Sequence, residues 1–169
     1  MPFNSPYFLF LFLPICLLFY YVAGQRYRNL IALAASLVFF AWGQVFYLPL
    51  MMFVIALNFY LGQRLESARE QPGSARKALG WGIALNIALL LFFKITLSYG
   101  TQWLVFLPEG MAAGIAQNPL PLGLSYITFQ VIAYLADIYN EVHDSEKNLL
   151  NFSLYVLLFP KMITGPIVR

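Results

Sequence analysis

The chain has 169 residues and a formal net charge of +3; 61% of its residues are hydrophobic, 18% aromatic and only 10% charged, with a mean hydropathy of +0.72. Soluble domains carry about a quarter charged residues, so this composition excludes a water-soluble globular fold. It also excludes a nucleic-acid surface as the meaning of the net charge, because the Lys and Arg residues fall in short clusters between apolar blocks.

The blocks run Pro6 to Ala23, Asn29 to Trp42, Phe46 to Gly62, Leu79 to Ile95, Leu122 to Tyr139 and Leu149 to Ile163, each 14 to 18 residues long. A full helical span needs about 20, so the pattern predicts about six transmembrane or partly spanning helices. In hydrocarbon an isolated apolar segment pairs its own N–H and C=O groups only as a helix. A barrel would show alternation, and IALNIALLLFF shows none. The predicted class is an all-α polytopic membrane protein.

The first block is read as an uncleaved helix. No Lys or Arg precedes it, and it exceeds the roughly 7 to 15 apolar residues of a signal peptide; YYVAGQRYR offers no A-x-A cleavage site. Cys16 is the one cysteine, which rules out an intrachain disulfide. With no His or Lys beside it to activate a thiolate, it reads as a small apolar residue. The turn between the second and third blocks is bracketed by Trp42-Gly43 and by Pro49, which suits the first turn of the next helix.

Asn58 and Asn86 interrupt the third and fourth blocks, where buried amides bond across to a neighbouring helix. Gly80, Ala84 and Ala88 form a small-residue stripe that would admit a second helix, and Lys94 can snorkel to the interface. Arg26 and Arg28 follow the first block; Arg64, Arg69, Arg76 and Lys77 follow the third. Under the positive-inside bias both loops are cytoplasmic, two crossings apart, with the N-terminus and the segment Thr96 to Pro119 outside. Glu141 to Lys147, net acidic, then faces the cytoplasm.

In the fifth block Tyr126, Gln130, Tyr134 and Asp137 recur at spacings of four, four and three, within about 80° on a helix. Ile127, Val131, Leu135 and Ile138 lie opposite, against lipid or apolar protein. Polar groups facing lipid are costly, so the stripe should point at other helices or at a cavity. It is either a wall of a substrate pathway or interhelical hydrogen bonding; for Asp137, near a helix end, simple hydration is the favoured reading. His143, the one histidine, lies in NEVHDSEK, a solvated acidic loop, and is not read as a general base. No grouping suggests a metal site. The last block breaks twice, at Pro160 and at Gly165-Pro166, which inside a membrane requires protein or a cavity to satisfy the freed carbonyls and points to a re-entrant element. Lys161 is positioned to attract an anionic donor group or to snorkel to the headgroups.

PLGLSYITFQ, followed at the expected distance by YVLLFPKMITGPIVR, resembles the start of the conserved core of the membrane-bound O-acyltransferase family, in particular its alginate O-acetyltransferase branch. FFAWGQVFYLPL and LNFYLGQRL are similar to that family's early aromatic helix pair. Pro121, Gly123, Phe129, Pro160, Gly165 and Pro166 carry the resemblance as structural positions. It implies that residues 1–169 are the N-terminal portion of a single transmembrane domain continuing past Arg169, multi-pass in a bacterial inner membrane. The implied activity is transfer of an acyl group, most simply acetyl, to hydroxyls of an extracytoplasmic polysaccharide such as alginate. The donor would be acetyl-CoA or another thioester, no cofactor would be bound, and the partners would be the bilayer and an extracytoplasmic acetyl-relay or polysaccharide-modifying protein. The family's catalytic histidine belongs to a later hydrophobic helix that no position here matches, so catalysis is expected of a longer parent and not of this chain alone. D-alanyl transfer to teichoic acid stays open within the family. So does a transporter-type helical protein, because transporters also use discontinuous helices.

Overall fold

The computed structural model describes residues 6–70, 72–99, 110–111 and 123–158. Among them every regular element is helical. The helices are α1 (Leu13–Val22), α2 (Arg28–Gln44), α3 (Leu48–Ser67), α4 (Pro72–Tyr99), α5 (Leu124–Tyr139) and α6 (Leu149–Leu157). A π-helical turn, Phe8–Phe12, leads into α1. Pro14 has no N–H to donate and its ring crowds the carbonyl four residues back, so the wider turn absorbs the misfit.

The helices run past the apolar blocks wherever a charge ends hydropathy without ending helix propensity. α4 begins seven residues before Leu79 and reaches 28 residues, about 42 Å at 1.5 Å per residue. α2 continues through Trp42-Gly43, so the turn there is the 3-10 stretch Val45–Tyr47. Pro49 then stands in the first turn of α3. The segments Val45–Ser67 and Gly73–Thr96 are long and apolar enough to cross a membrane, while Phe10–Val22, Arg28–Trp42 and Leu124–Tyr139 are apolar but shorter. The exterior carries large apolar side chains that water would not tolerate in such number: Phe10 is 82% exposed, Trp42 69% and Trp81 68%. This is a membrane protein.

α5 lies at the centre, packed against α3 and α4 with α6 beside it, while α2 packs on α6. Its apolar face meets protein, since Ile127, Val131, Leu135 and Ile138 are at most 1% exposed. Two glycines permit the approach. A Cβ at Gly62 of α3 would stand 2.9 Å from Tyr134 Cε1 and Oη, and one at Gly82 of α4 would stand 2.9 Å from Leu135 Cδ1. Among the described residues no helix packs on the stripe of Gly80, Ala84 and Ala88: all three are exposed, nothing lies within 4 Å of a Cβ at Gly80, and the close packing with α5 falls on the neighbouring face at Gly82. Between α3 and α4, Asn58 and Asn86 exchange amide hydrogen bonds. Asn58 Nδ2 donates to Asn86 Oδ1 at 3.1 Å and Asn86 Nδ2 to Asn58 Oδ1 at 2.8 Å, and each Nδ2 also donates to the carbonyl one turn back, of Val54 and Gly82. Each amide thus places both N–H groups and its oxygen inside the apolar layer.

Candidate functional site

The N-terminus of α2, the C-termini of α3 and α5 and the start of α6 meet at one end of the bundle, so both basic loops share that end. Arg69, two residues past α3, organises it. Its Nε and Nη2 donate to the Ile138 carbonyl at 3.2 and 3.0 Å, Nη2 donates to the His143 carbonyl at 2.6 Å, and Nη1 meets Asp144 Oδ1 at 2.7 Å. The Ile138 carbonyl belongs to the last turn of α5, where carbonyls lack helical partners and cations are favoured. The chain leaves α5 through a Schellman turn: Glu141 N–H donates to the Ile138 carbonyl and Val142 N–H to that of Asp137. Glu141 takes the left-handed position at φ 58°, a conformation usually left to glycine.

Glu66, one turn before Arg69, holds the other half of the loop, accepting from Ser145 Oγ and from Lys147 Nζ, the latter at 2.8 Å. Glu146 N–H donates to Tyr134 Oη at 3.0 Å, so Tyr134 joins α5 to the loop while its ring packs on Phe152 and Tyr155, with centroids 5.0 and 6.1 Å away. Asn148 caps α6 by accepting from Leu150 N–H, and Asn29 Nδ2 of α2 donates to Asn151 Oδ1 at 3.0 Å. These ties enclose a cavity of ≈ 400 Å³ whose walls include Tyr134, Asp137, His143, Lys147, Asn151 and Tyr155.

The polar stripe of α5 therefore divides. Tyr134 and Asp137 line the cavity, whereas Gln130 is deeper and buried, donating from Nε2 to the Tyr155 carbonyl at 2.7 Å. α6 has nine residues, about 13 Å of helix, and Gln130 satisfies one of the carbonyls of its last turn. Tyr126 is half-buried and packs against the main core. Gly123 opens α5 in the left-handed region at φ 71°, where a side chain would be strained. Phe129 points outward, 60% exposed. Pro121, Pro160, Lys161, Gly165 and Pro166, and with them the expected double break of the last helix, lie outside the described residues.

His143 is exposed, and the contact that fixes it is made by its carbonyl. Among the described residues no three His, Cys, Asp or Glu side chains converge as metal ligands would. The cavity is a vestibule lined by three carboxylates, Asp137, Asp144 and Glu146, and by Lys147, which Glu66 already pairs; Asp137 and the phenols can orient a polar group, and among the described residues nothing in it is arranged as a nucleophile with its base. Sequence reasoning missed Glu66, Arg69 and Ser145. Their partners lie 69 to 81 positions away, and a single sequence carries no signal at that range.

In sequence the chain is 37% identical over 172 aligned residues to the probable alginate O-acetylase AlgI of Pseudomonas aeruginosa, covering 100% of this chain and 33% of that protein. It is 36% identical to the protein of the same name from Azotobacter vinelandii, covering 100% of this chain and 34% of that protein. With the peptidoglycan O-acetyltransferase of Helicobacter pylori it shares 32% over 197 aligned residues, 99% of this chain and 37% of that protein. The chain spans about a third of the length of these curated relatives. No protein-family model matches it, and no solved structure does.

Proposed function

Since this chain belongs to the alginate O-acetylase-like branch of the membrane-bound O-acyltransferase family, we propose that it builds part of a membrane-embedded O-acetyltransferase acting on hydroxyls of an extracytoplasmic polysaccharide. The observation that carries this reading is whole-chain identity of 36–37% to proteins named alginate O-acetylases. The vestibule at the basic end supports a division of labour within it. With that end in the cytoplasm, as the clustered Arg and Lys residues favour, the vestibule is where a thioester donor such as acetyl-CoA would approach. Tyr134 and Asp137 are walls of the passage in this reading, and the general base that activates the acceptor hydroxyl is supplied by residues outside this chain. An extracytoplasmic relay or polysaccharide-modifying protein would then receive or place the acetyl group. Peptidoglycan is the second acceptor reading, favoured by the Helicobacter pylori relative.

Complementation tests it. The gene for the longest protein containing this chain is expressed in an alginate-producing host whose own alginate O-acetylase gene has been deleted, and ester-linked acetate on the exported polymer is measured. Restored acetylation supports an alginate acceptor; acetyl esters on peptidoglycan alone shift the acceptor; no acetyl transfer to either polymer at normal protein level sinks the reading. Orientation has its own test with Cys16 replaced by Ser: an impermeant thiol reagent applied to intact cells should label a cysteine placed at Asn4 and not one placed at Ser74, and the reverse pattern overturns it.

A further inference from the structure

A second cavity lies away from the vestibule, between α1 and α2. α1 touches the bundle mainly through α2 and contributes no buried residue. The pair is pinned near one end by Phe8 and Phe12 against Phe39, with ring centroids 5.6 and 6.0 Å apart. At the other end the Arg28 guanidinium lies 5.6 Å from the Tyr20 ring centroid. Between the pins the small residues Cys16, Ala34 and Ala35 leave a groove of ≈ 420 Å³ whose remaining walls, Phe19, Ile31 and Trp42 among them, are apolar.

Arg28, Ile31, Ala35, Val38 and Trp42 stand at i, i+3, i+7, i+10 and i+14 on α2, one helical face; the last four line the groove, and Arg28 stands one turn beyond its wall on the same face. Among the described residues no carboxylate answers its charge, and its protein contact is the Tyr20 ring. Arg28 Nε is buried without a hydrogen-bond partner, the ion pairs among the described residues are Arg69–Asp144 and Lys147–Glu66, and the first turn of α2 holds no acidic residue. From Ile31 to Trp42 the groove runs about 16 Å, the depth of one leaflet of a roughly 30 Å hydrocarbon core. Its surroundings are lipid-facing, with Phe10 82% and Leu18 61% exposed. An apolar trough one leaflet long with a guanidinium one turn beyond its end, unpaired with any carboxylate among the described residues, fits a lipid whose acyl chain is joined through glycerol to a phosphate.

We propose that the α1–α2 groove binds one anionic glycerophospholipid, its acyl chain along the face from Ile31 to Trp42 and its phosphate at Arg28. The site needs only that the basic end lie at a membrane surface, and anionic headgroups gather basic side chains there.

The purified, delipidated protein in neutral detergent is titrated with phosphatidylglycerol or phosphatidylcholine and followed by native mass spectrometry. Phosphatidylglycerol should be retained over phosphatidylcholine; Arg28→Gln should weaken that retention about five-fold, and Arg28→Lys, which keeps the charge, should largely preserve it. Cys16, the chain's one cysteine, locates the lipid. Its alkylation by N-ethylmaleimide should slow when phosphatidylglycerol is added to the wild type and should change little in Arg28→Gln. Equal retention of the two lipids, unchanged retention by Arg28→Gln, or a Cys16 that resists alkylation without lipid because protein fills the groove would each overturn the proposal. None of these outcomes depends on acetyl transfer, so the site and the proposed activity fail separately.

Discussion

Replacing Asn58 and Asn86 by Leu one at a time should cost the bundle more in sum than replacing both together. In Asn58→Leu the Asn86 amide keeps its bond to the Gly82 carbonyl at 2.8 Å but loses both bonds to its partner, at 2.8 and 3.1 Å. One N–H and one carbonyl oxygen are then stranded among residues that are 0% and 3% exposed. Interhelical hydrogen bonds in membranes are worth about 0.6 to 1.7 kcal/mol each, so two give a coupling of roughly 1 to 3 kcal/mol. Each single substitution should cost about that much, whereas the double, in which no amide is left without its partner, should fall short of the sum by the coupling. The assay is reversible unfolding in mixed micelles followed by tryptophan fluorescence, run as a double-mutant cycle. Additivity within about 0.5 kcal/mol would mean that the two amides do not hold the helices together.

Gly62→Ala should lower the unfolding midpoint. Its Cβ would meet the Tyr134 ring and hydroxyl at 2.9 Å, an overpacking cost of about 1 to 3 kcal/mol that exceeds the gain of up to about 1 kcal/mol in helix propensity; Gly80→Ala, in open space, should raise the midpoint, and the opposite order refutes the close approach of α5. Arg69→Ala should speed hydrogen exchange of the amides at 140–148 by about ten-fold or more, one lost charge-assisted bond being worth roughly 1.5 to 3 kcal/mol. Arg69→Lys should not restore it, because a lysine lacks the planar fork that reaches Ile138 and Asp144 together; unchanged exchange in Arg69→Ala would sink the strap. Glu141→Gly should stabilise by about 1 kcal/mol by relieving a left-handed non-glycine residue, read as a raised midpoint. His143→Ala in the full-length parent should leave acetyl transfer nearly unchanged, where loss of a true base costs about 10²- to 10⁴-fold; collapse of acetylation at normal protein level would return that residue to the chemistry.

Helices and their order were legible because hydrocarbon leaves a backbone little choice, and the lengths were not, because charge marks where a block ends and says nothing of the turn beyond it. α4 is the case in point: Arg76 and Lys77 close the apolar run, and the helix starts at Pro72 regardless. The glycines show the same limit at finer grain. Gly80 with Ala84 and Ala88 makes a tidy stripe, yet rotation of the helix about its axis is set by Leu135 finding the gap at Gly82, a fact of the tertiary fit. On α5 the periodicity identified four polar residues on one arc but not their separate partners. Depth decides those, placing Gln130 against the last turn of α6 and Tyr134 at the loop. The strap from Glu66 and Arg69 was invisible because it joins segments about 70 to 80 residues apart through side chains that, read locally, look like an ordinary charged helix end.

The amide pair also orders events during synthesis. Asn58 and Asn86 sit on consecutive helices, so α3 and α4 become self-sufficient in the bilayer once Tyr99 has entered it, while α5 begins only at Leu124. At roughly 5 to 20 residues per second the ribosome leaves the hairpin about a second or more to close, ample beside the microseconds that local helix contacts require. The central helix then arrives at a finished receptor, with Gly62 on one wall and Gly82 on the other waiting for Tyr134 and Leu135, and its rotational setting is inherited from the two helices that preceded it.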